Sequence, residues 1–339
     1  LFTWTANWTT VWDNRRAEDL LVLVNNATRF TVAIYQVKRK NLKNVEQMMK
    51  TAISNTLLAV GFNPELVEEY LTMAGEVEFV RNRNRQAAAW VTKAGLECAF
   101  HVGREYDGVA KVFDDTAGMP ANYRVVNYGK SADEGFCPYE KMAVALSELT
   151  GKPAYKQRAF ELLVTLDVHL YKVKRRIIVP ANMDFSRLHR VLQKVFGWRG
   201  SHLYDFAVFN PGKPTPSLRL VASKEDLGFD DEAELMNGQS LADFFPEQRK
   251  IVYTYDFGDN WEHEIELVRV LEDYDQELPY LLEASGKTPP EDVGGIPGFI
   301  QFYEAISNPH HPEHELFTDW AGSWNKELHY WETAPRVIR

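Results

Sequence analysis

The spacing of apolar residues divides the first half of the chain into strands followed by helices. Three segments have the β-branched and aromatic content that is typical of strands, with a turn at Asp13-Asn14 between the first two: residues 2–12, 19–24 and 32–37. Three later segments repeat apolar residues at every third or fourth position and are predicted as helices: residues 42–60, 64–73 and 86–98. Gly61 is the expected end of the first helix.

A change of composition marks the middle of the chain. Residues 116–138 contain three glycines and two prolines, which predicts a loop. A helix is predicted over residues 138–149, and Gly151-Lys152-Pro153 ends it. We therefore expect three parts: an N-terminal α+β domain of residues 1–135, a helical linker of residues 136–157 and a second α+β domain of residues 158–339.

The second half combines further strands with a strongly amphipathic helix. Strands are predicted at residues 159–170, 172–179, 202–209 and 217–222. Asp184 is the expected N-cap of a helix over residues 185–196, and Gly197 is its expected end. Residues 224–238 are predicted as an acidic, mobile insertion, residues 240–245 as a short helical turn, and residues 297–306 and 312–320 as two closing helices.

The clearest local signal is a β-hairpin of residues 251–257 and 261–271. Gly258-Asp259-Asn260 supplies the turn chemistry between these two apolar-alternating segments. Taken together, the predicted elements give an α+β fold of two domains, each a mainly antiparallel β-sheet with packed helices.

Composition limits the class of protein. Hydrophobic residues make up 45% and charged residues 25% of the 339 residues, which are values for globular chains. No run of 18 apolar residues occurs, so a membrane span and a membrane partner are not expected. The two cysteines, Cys98 and Cys137, form no CxxC pair, which excludes a disulfide framework and fits a cytoplasmic location.

Charge is unevenly distributed along the chain. Residues 251–339 contain 18 Asp and Glu against five Lys and Arg. Such an acidic surface repels phosphate backbones and attracts cations or basic partners. An acidic balance also keeps a protein soluble, so the charge alone does not select a partner.

Four sequence blocks stand in order along the second half. They are Arg175-Arg176-Ile177-Ile178-Val179-Pro180; Phe196-Gly197-Trp198 with Ser201-His202-Leu203; Tyr255-Asp256-Phe257-Gly258-Asp259-Asn260-Trp261-Glu262-His263; and Pro289-Pro290-Glu291-Asp292-Val293-Gly294-Gly295 with His311-Pro312-Glu313-His314-Glu315. In these blocks, residues 159–329 resemble the plasmid pRiA4b ORF-3-like family, also known as an insertion-element passenger TnpR family. The family often has Cys where this chain has Val293, so a metal or redox role of that Cys is not expected here.

The first half resembles a small bacterial domain of unknown function that is fused ahead of ORF-3-like domains. The resemblance lies in Trp4-Thr5-Ala6-Asn7, Arg15-Arg16 and Val24-Asn25-Asn26-Ala27-Thr28-Arg29-Phe30. That domain usually has His where this chain has Thr5. Both resemblances imply a fold and an association with plasmids and mobile elements, and neither implies a reaction. The sequence has no serine-recombinase nucleophile motif.

The predicted hairpin carries the main candidate chemistry. On a strand, Trp261 and His263 share one face with apolar residues while Glu262 points to the other. His263 is therefore either a core histidine or a ligand, and Asp256 and Asp259 either cap the turn or bind a ligand.

A metal site would need a second source of ligands. His311 and His314 are three residues apart at a predicted helix start and can face the same way. With His263 and the hairpin carboxylates they could hold a divalent ion, although His-x-x-His alone is a weak pattern. No cofactor is required by any motif of the sequence. The candidate binding surface comprises Asp256, Asp259, Trp261, Glu262, His263, Glu291 and Asp292.

Basic residues give a separate candidate. A basic patch of Arg81, Arg83, Arg85, Arg175 and Arg176 could bind nucleic acid, an acidic peptide or the acidic C-terminal segment of the chain itself. We therefore expect an accessory or interaction protein of mobile elements with a protein partner. The alternatives are a metal-dependent, hydrolase-like enzyme that uses the His and carboxylate cluster, and a nucleic-acid-binding accessory protein.

Overall fold

The chain folds into two units. The computed structural model describes residues 1–13, 16–35, 37, 44–102, 115–127, 135–229, 233–248, 250–322, 324 and 326–338. The first unit is Leu1–Lys156 and the second is Gln157–Arg339. Each unit has its own buried core.

The first unit packs helices on a small antiparallel sheet, as predicted. Its strands are β1 (Trp4–Asp13), β2 (Arg16–Asn25) and β3 (Thr31–Ile34), in the order β1-β2-β3. The helices are α1 (Val45–Ala59), α2 (Pro64–Ala74), α3 (Arg85–His101), α4 (Asp115–Tyr123) and α5 (Pro138–Thr150). A two-residue ribbon pairs β4 (Val126–Asn127) with β5 (Gly135–Phe136).

Helix α4 lies where the sequence predicted a loop. The prediction relied on Gly118 and Pro120, yet both residues are inside the helix. Asn122 of α4 accepts a hydrogen bond from the Thr31 N–H at 2.7 Å and donates one to the Thr31 carbonyl at 2.9 Å. Contact with the edge of β3 therefore outweighs the weak helix propensity of this segment.

Helix α5 contributes to the core of the first unit. Its residues Tyr139, Met142 and Leu146 are buried, and the Tyr139 ring stacks on Phe62 with the centroids 5.2 Å apart. The segment predicted as a linker, residues 136–157, therefore contains a helix that packs within the first unit, which ends at Lys156.

The second unit is built on one large sheet. In the described residues the sheet has nine strands, in the order β10-β9-β8-β11-β12-β6-β7-β13-β14. The strands are β6 (Gln157–Asp167), β7 (Lys172–Pro180), β8 (Tyr204–Val208), β9 (Leu218–Val221), β10 (Ala233–Leu235), β11 (Lys250–Tyr255), β12 (Trp261–Tyr274), β13 (Tyr280–Ser285) and β14 (Arg336–Val337). Only the β9–β10 pair is parallel among these strands.

The acidic insertion predicted at residues 224–238 has regular structure in its described part. A 3₁₀ turn spans Asp226–Phe229, and β10 pairs with β9. Met236, directly after β10, is buried in the core of the second unit. Apolar Leu235 and Met236 thus attach this polar segment to the sheet, which the charge pattern did not indicate.

In its described residues the second unit also has four α-helices: α6 (Phe185–Phe196), α7 (Gly295–Ser307), α8 (His314–Ala321) and α9 (Tyr330–Thr333). The ends of α6 are as predicted. The Asp184 side chain accepts a hydrogen bond from the Arg187 N–H at 2.7 Å, and Gly197 ends the helix at a φ of 81°. No described helix has both the length and the apolar character that crossing a membrane requires.

The predicted hairpin is formed by β11 and β12. Tyr255 pairs with Trp261 across it, and residues 256–260 form the turn. Trp261 and His263 point into the core, whereas Glu262 is exposed. The alternation that the sequence predicted for this strand is confirmed.

Candidate metal site

Three loops of the second unit meet at one place, and one of them is the β11–β12 turn. They are the segment 198–202 after α6, the turn 256–260 and the segment 289–295 before α7. The Trp198 indole N–H donates to the Pro289 carbonyl at 3.0 Å, and the Gly294 N–H donates to Asp259 Oδ2 at 3.2 Å. These bonds hold residues that are far apart in sequence at one place.

His202, Asp256 and Asp292 come together where the loops meet. His202 Nδ1 lies 3.6 Å from Asp256 Oδ2, and His202 Nε2 lies 3.1 Å from Asp292 Oδ1. Each residue can offer one ligand atom such that all three atoms lie within 4.8 Å of one another. Across the described part of the chain, no other His, Cys, Asp or Glu residues form such a group of three.

The His202 imidazole has one unsatisfied nitrogen. Nε2 is shielded from solvent and has no hydrogen-bond partner, although it lies 3.1 Å from Asp292 Oδ1. Buried polar atoms are nearly always bonded, and a water molecule or an ion would give this nitrogen a partner. Asp256 is oriented by its other oxygen: Oδ1 accepts from the N–H groups of Gly258 at 3.0 Å and Asp259 at 3.3 Å.

Both aspartates have unusual backbone conformations. The φ of Asp256 is 57° and that of Asp292 is 59°. These values lie in the left-handed region, which costs free energy for residues other than glycine and is tolerated best by Asn and Asp. Such strain often occurs at functional sites, where the surrounding structure maintains it.

Two glycines let the loops approach closely. Gly294 and Gly295 have φ values of 90° and 64°. A Cβ on Gly295 would lie 2.6 Å from the Asp259 carbonyl oxygen. The close contact between the two loops therefore depends on the absence of a side chain there.

A third carboxylate, Glu291, is fixed next to the three residues. Its side chain is only 13% exposed; it accepts hydrogen bonds from the Tyr255 hydroxyl at 2.7 Å and from the Arg199 N–H at 3.1 Å. The Tyr255 oxygen in turn accepts from the Ser201 N–H at 3.1 Å. Burial, reinforced by the Glu291 carboxylate, raises the pKa of Tyr255 to about 12, so the hydroxyl remains a donor at neutral pH.

These loops contain the sequence blocks that resemble a known family. The family model described as plasmid pRiA4b ORF-3-like protein matches residues 158–332. The chain belongs to the plasmid pRiA4b ORF-3-like family. A second family model, a domain of unknown function named DUF6933, matches residues 1–141, so both resemblances seen in the sequence are confirmed.

Two individual proteins are similar to the pRiA4b ORF-3-like unit. The uncharacterized protein y4hQ of Sinorhizobium fredii is 40% identical over an alignment of 174 residues, which covers 48% of this chain and 80% of that protein. A crystal structure of a protein of unknown function from Methanosarcina mazei Go1 is 27% identical, with a TM-score of 0.47; the match covers 52% of this chain and 98% of that one.

His263, a candidate ligand, is a core residue of the pRiA4b ORF-3-like unit. It has no exposed surface, and its Nδ1 lies 3.0 Å from the Trp261 carbonyl and 3.2 Å from the Tyr253 carbonyl. The ring packs between the edges of Phe196 and Trp198. Burial lowers its pKa to about 3, so the imidazole is neutral.

The other two candidate histidines have local roles. His314 Nδ1 lies 2.9 Å from the Ala305 carbonyl, and His311 Nδ1 accepts from the Glu313 N–H at 3.2 Å. Among the described residues, His263, His311 and His314 do not form a common ligand group. Of the predicted binding surface, the structure brings together Asp256, Asp259, Glu291 and Asp292; Trp261 is buried, and Glu262 is on the opposite face of β12.

Sequence reasoning missed His202, Tyr255 and Arg199 as site residues. His202 adjoins Ser201 in a family block, and no local pattern marks it as a ligand. The signal that would have found it is the pairing of β8 with β11, which sets Tyr204 opposite Tyr255. This register brings His202 to the same end of the sheet as Asp256.

The predicted basic patch separates into different environments. Arg175 is buried in the pRiA4b ORF-3-like unit, where its guanidinium donates to backbone carbonyls of Val195, Lys174, Ser285 and Gly286. Arg176 pairs with the fully buried Glu161. Arg81, Arg83 and Arg85 are exposed residues of the first unit.

Proposed function

We propose that the pRiA4b ORF-3-like unit binds a divalent metal ion through His202, Asp256 and Asp292 and uses it for hydrolytic chemistry. The unsatisfied His202 Nε2, which faces the Asp292 carboxylate at 3.1 Å, carries this proposal. An ion between these groups supplies the missing partner of the nitrogen and offsets the two negative charges.

The donor set favours a particular class of ion. One imidazole nitrogen with two carboxylate oxygens suits Zn²⁺ first, and Mn²⁺ or Fe²⁺ next. Three protein ligands leave a coordination position for water, which is the pattern of catalytic rather than structural zinc sites. The Asp292 side chain is 71% exposed, so that position can face solvent and substrate.

The residues around the site have supporting roles in this proposal. The turn N–H groups that bind Asp256 Oδ1 leave its Oδ2 directed at His202. Glu291 and Tyr255 fix the loop that carries Asp292. A bound ion would polarise a water or a carbonyl or phosphoryl oxygen, as metal ions do in hydrolases. The accessory role beside mobile DNA, implied by the family resemblance, remains a prediction.

Metal binding by purified protein tests the proposal. The full-length chain, stripped with chelator and reloaded, should bind about one equivalent of Zn²⁺ in calorimetry and retain it through desalting. His202→Ala and Asp292→Asn should weaken binding by at least about 100-fold, since each removes a ligand.

His311→Ala is the matched control, because this histidine lies outside the three loops and should leave zinc affinity unchanged. Circular dichroism checks that each variant is folded. If the wild-type chain takes up no stoichiometric ion, or if folded His202→Ala binds zinc as tightly as the wild type, the proposal is wrong.

A further inference from the structure

The first unit carries a cluster of cations that lack carboxylate partners. Arg81, Arg83 and Arg85 lie within the stretch 78–86, in which every residue is exposed. Within the described part of the chain, none of the three forms an ion pair. From residue 79 to residue 96 the sequence has four Lys and Arg and no Asp or Glu. The stretch 79–96, which lies between Glu78 and Glu97, therefore has a net positive charge, although the whole chain is acidic.

The net negative charge of the chain comes from its second unit. Residues 1–156 contain 19 Lys and Arg against 18 Asp and Glu, whereas residues 157–339 contain 19 against 30. Several described cations of the first unit are paired with carboxylates, such as Lys152 with Glu69 and Lys156 with Glu65. Arg81, Arg83 and Arg85 therefore differ from these paired cations.

Apolar side chains stand beside these arginines. Phe79 is 58% exposed and Val80 is 73% exposed, directly before Arg81. Farther along α3, Leu96 and Phe100 are also largely exposed. An exposed aromatic ring next to unpaired guanidinium groups is the combination that binds single-stranded nucleic acid, through base stacking and phosphate contacts.

We infer that the stretch Phe79–Arg85 binds single-stranded nucleic acid, with the arginines on successive phosphates and Phe79 against a base. Arg81 and Arg83 stand two residues apart before α3 and Arg85 is its first residue, so we place the three guanidinium groups on successive phosphates. Asn82 and Asn84 are directed elsewhere, because Asn82 Oδ1 accepts from the Asn84 N–H and Asn84 Oδ1 caps α3. The guanidinium groups of the alternating arginines are therefore available to bind the ligand.

Single-stranded nucleic acid fits better than a duplex or an acidic protein. The Phe79 ring can stack only on a base that is not already stacked within a duplex. A carboxylate surface would pair with the arginines but would leave the exposed Phe79 and Val80 without a specific contact. The proposal is independent of the metal site, which lies in the other unit.

Fluorescence anisotropy with the full-length chain tests this inference. Labelled single-stranded DNA and RNA of mixed sequence should bind at low salt, with affinity falling as salt rises. Replacing Arg81, Arg83 and Arg85 by serine should lower affinity at least tenfold. It should also reduce the slope of log affinity against log salt by about 2, since each phosphate contact contributes about 0.7 on single strands. Phe79→Ser should weaken binding about tenfold at unchanged salt slope, since it removes one base-stacking contact and no charge.

The matched control removes the same charge from cations that already have partners. Replacing Lys50, Lys152 and Lys156 by serine should change affinity much less, because these residues pair with Glu46, Glu69 and Glu65. The inference is overturned if the wild-type chain binds no oligonucleotide at low salt or if the triple arginine variant binds like the wild type. Equal or tighter binding of duplex DNA or of polyglutamate would also overturn it in favour of those partners.

Discussion

Two buried histidines make the stability of the second unit depend on pH. His189 Nδ1 lies 2.7 Å from the Tyr253 hydroxyl, and His263 packs against the same tyrosine. Burial lowers the pKa of each imidazole to about 3; a nearby cation, Arg190 or Arg175, adds to the shift. Both histidines are therefore neutral in the folded protein at pH values where the unfolded chain protonates them.

We expect the free energy of unfolding to fall as the pH drops below about 6.5, the ordinary histidine pKa. The unfolded chain then binds more protons than the folded one. Each histidine lowers the free energy by up to about 1.4 kcal/mol per pH unit, until the pH approaches the folded-state pKa. Urea unfolding between about pH 7 and pH 5 measures this slope.

His263→Gln is the informative variant for this prediction. It removes one of the two titrating imidazoles, so its stability should decline with acid by about one proton less than that of the wild type. The carboxylates contribute equally to both proteins, so their effect cancels in the difference between the two free energies of unfolding. Parallel curves for wild type and variant would show that His263 titrates normally, against the prediction.

For single residues, the sequence predicted the direction of a side chain better than its role. The period-two pattern of β12 correctly set His263 on the apolar face. Its partners are backbone carbonyls and aromatic rings from α6 and β11, which no local pattern reports. His202 was not proposed as a ligand because its neighbours, Asp256 and Asp292, reach it only through strand pairing and loop contacts.

At the scale of elements, the contact of Gly295 with the hairpin turn controls the site. Gly295→Ala would set a Cβ 2.6 Å from the Asp259 carbonyl oxygen and place alanine at a φ of 64°. We expect the segment 291–295 to shift, which moves Asp292 away from His202. The variant should lose stability by more than about 2 kcal/mol and bind zinc at least tenfold more weakly.

Gly212→Ala separates the two effects of that substitution. Gly212 also has a positive φ, 74°, but a Cβ there meets no atom within 4 Å. It should cost only about 1–2 kcal/mol of backbone strain and leave zinc affinity unchanged. Urea unfolding and calorimetry measure both quantities. If the two variants behave alike, the loop contact at Gly295 is not what positions Asp292.

Element prediction from sequence succeeded where signals were local. The cap at Asp184, the αL glycine at Gly197 and the hairpin turn are short-range features, and all three are confirmed. Helix α4 and strand β13 were missed because they depend on partners elsewhere. Asn122 of α4 bonds to Thr31, and β13 is held by pairing with β7 and β14.

At the scale of the whole molecule, the two units are expected to fold separately. Residues 157–339 contain the large sheet, its core and all three proposed metal ligands. Expressed alone, this fragment should therefore bind Zn²⁺ with the affinity of the full-length chain, and added zinc should raise its melting temperature. Residues 1–156 should bind no zinc at the same concentration.

Calorimetry on both fragments, with circular dichroism as the folding check, measures this outcome. If the full-length chain binds zinc and a folded fragment 157–339 does not, the prediction is wrong. From sequence alone, the division into two α+β domains and the family of the second were predictable, because patterning and ordered blocks extend over whole domains. The meeting of three loops at one site was not, since it depends on the pairing order of the nine described strands.

The position of Trp198 has a practical consequence. Its indole stacks on Tyr255 with centroids 5.1 Å apart, and its N–H bonds to Pro289 at the start of the loop that carries Asp292. A chromophore therefore contacts the loop that carries Asp292. A paramagnetic ion such as Co²⁺ or Cu²⁺ bound at His202 should quench the Trp198 emission, and comparison with Trp198→Phe isolates that signal from the other tryptophans. Trp198 fluorescence can therefore report the kinetics of ion binding without an added label.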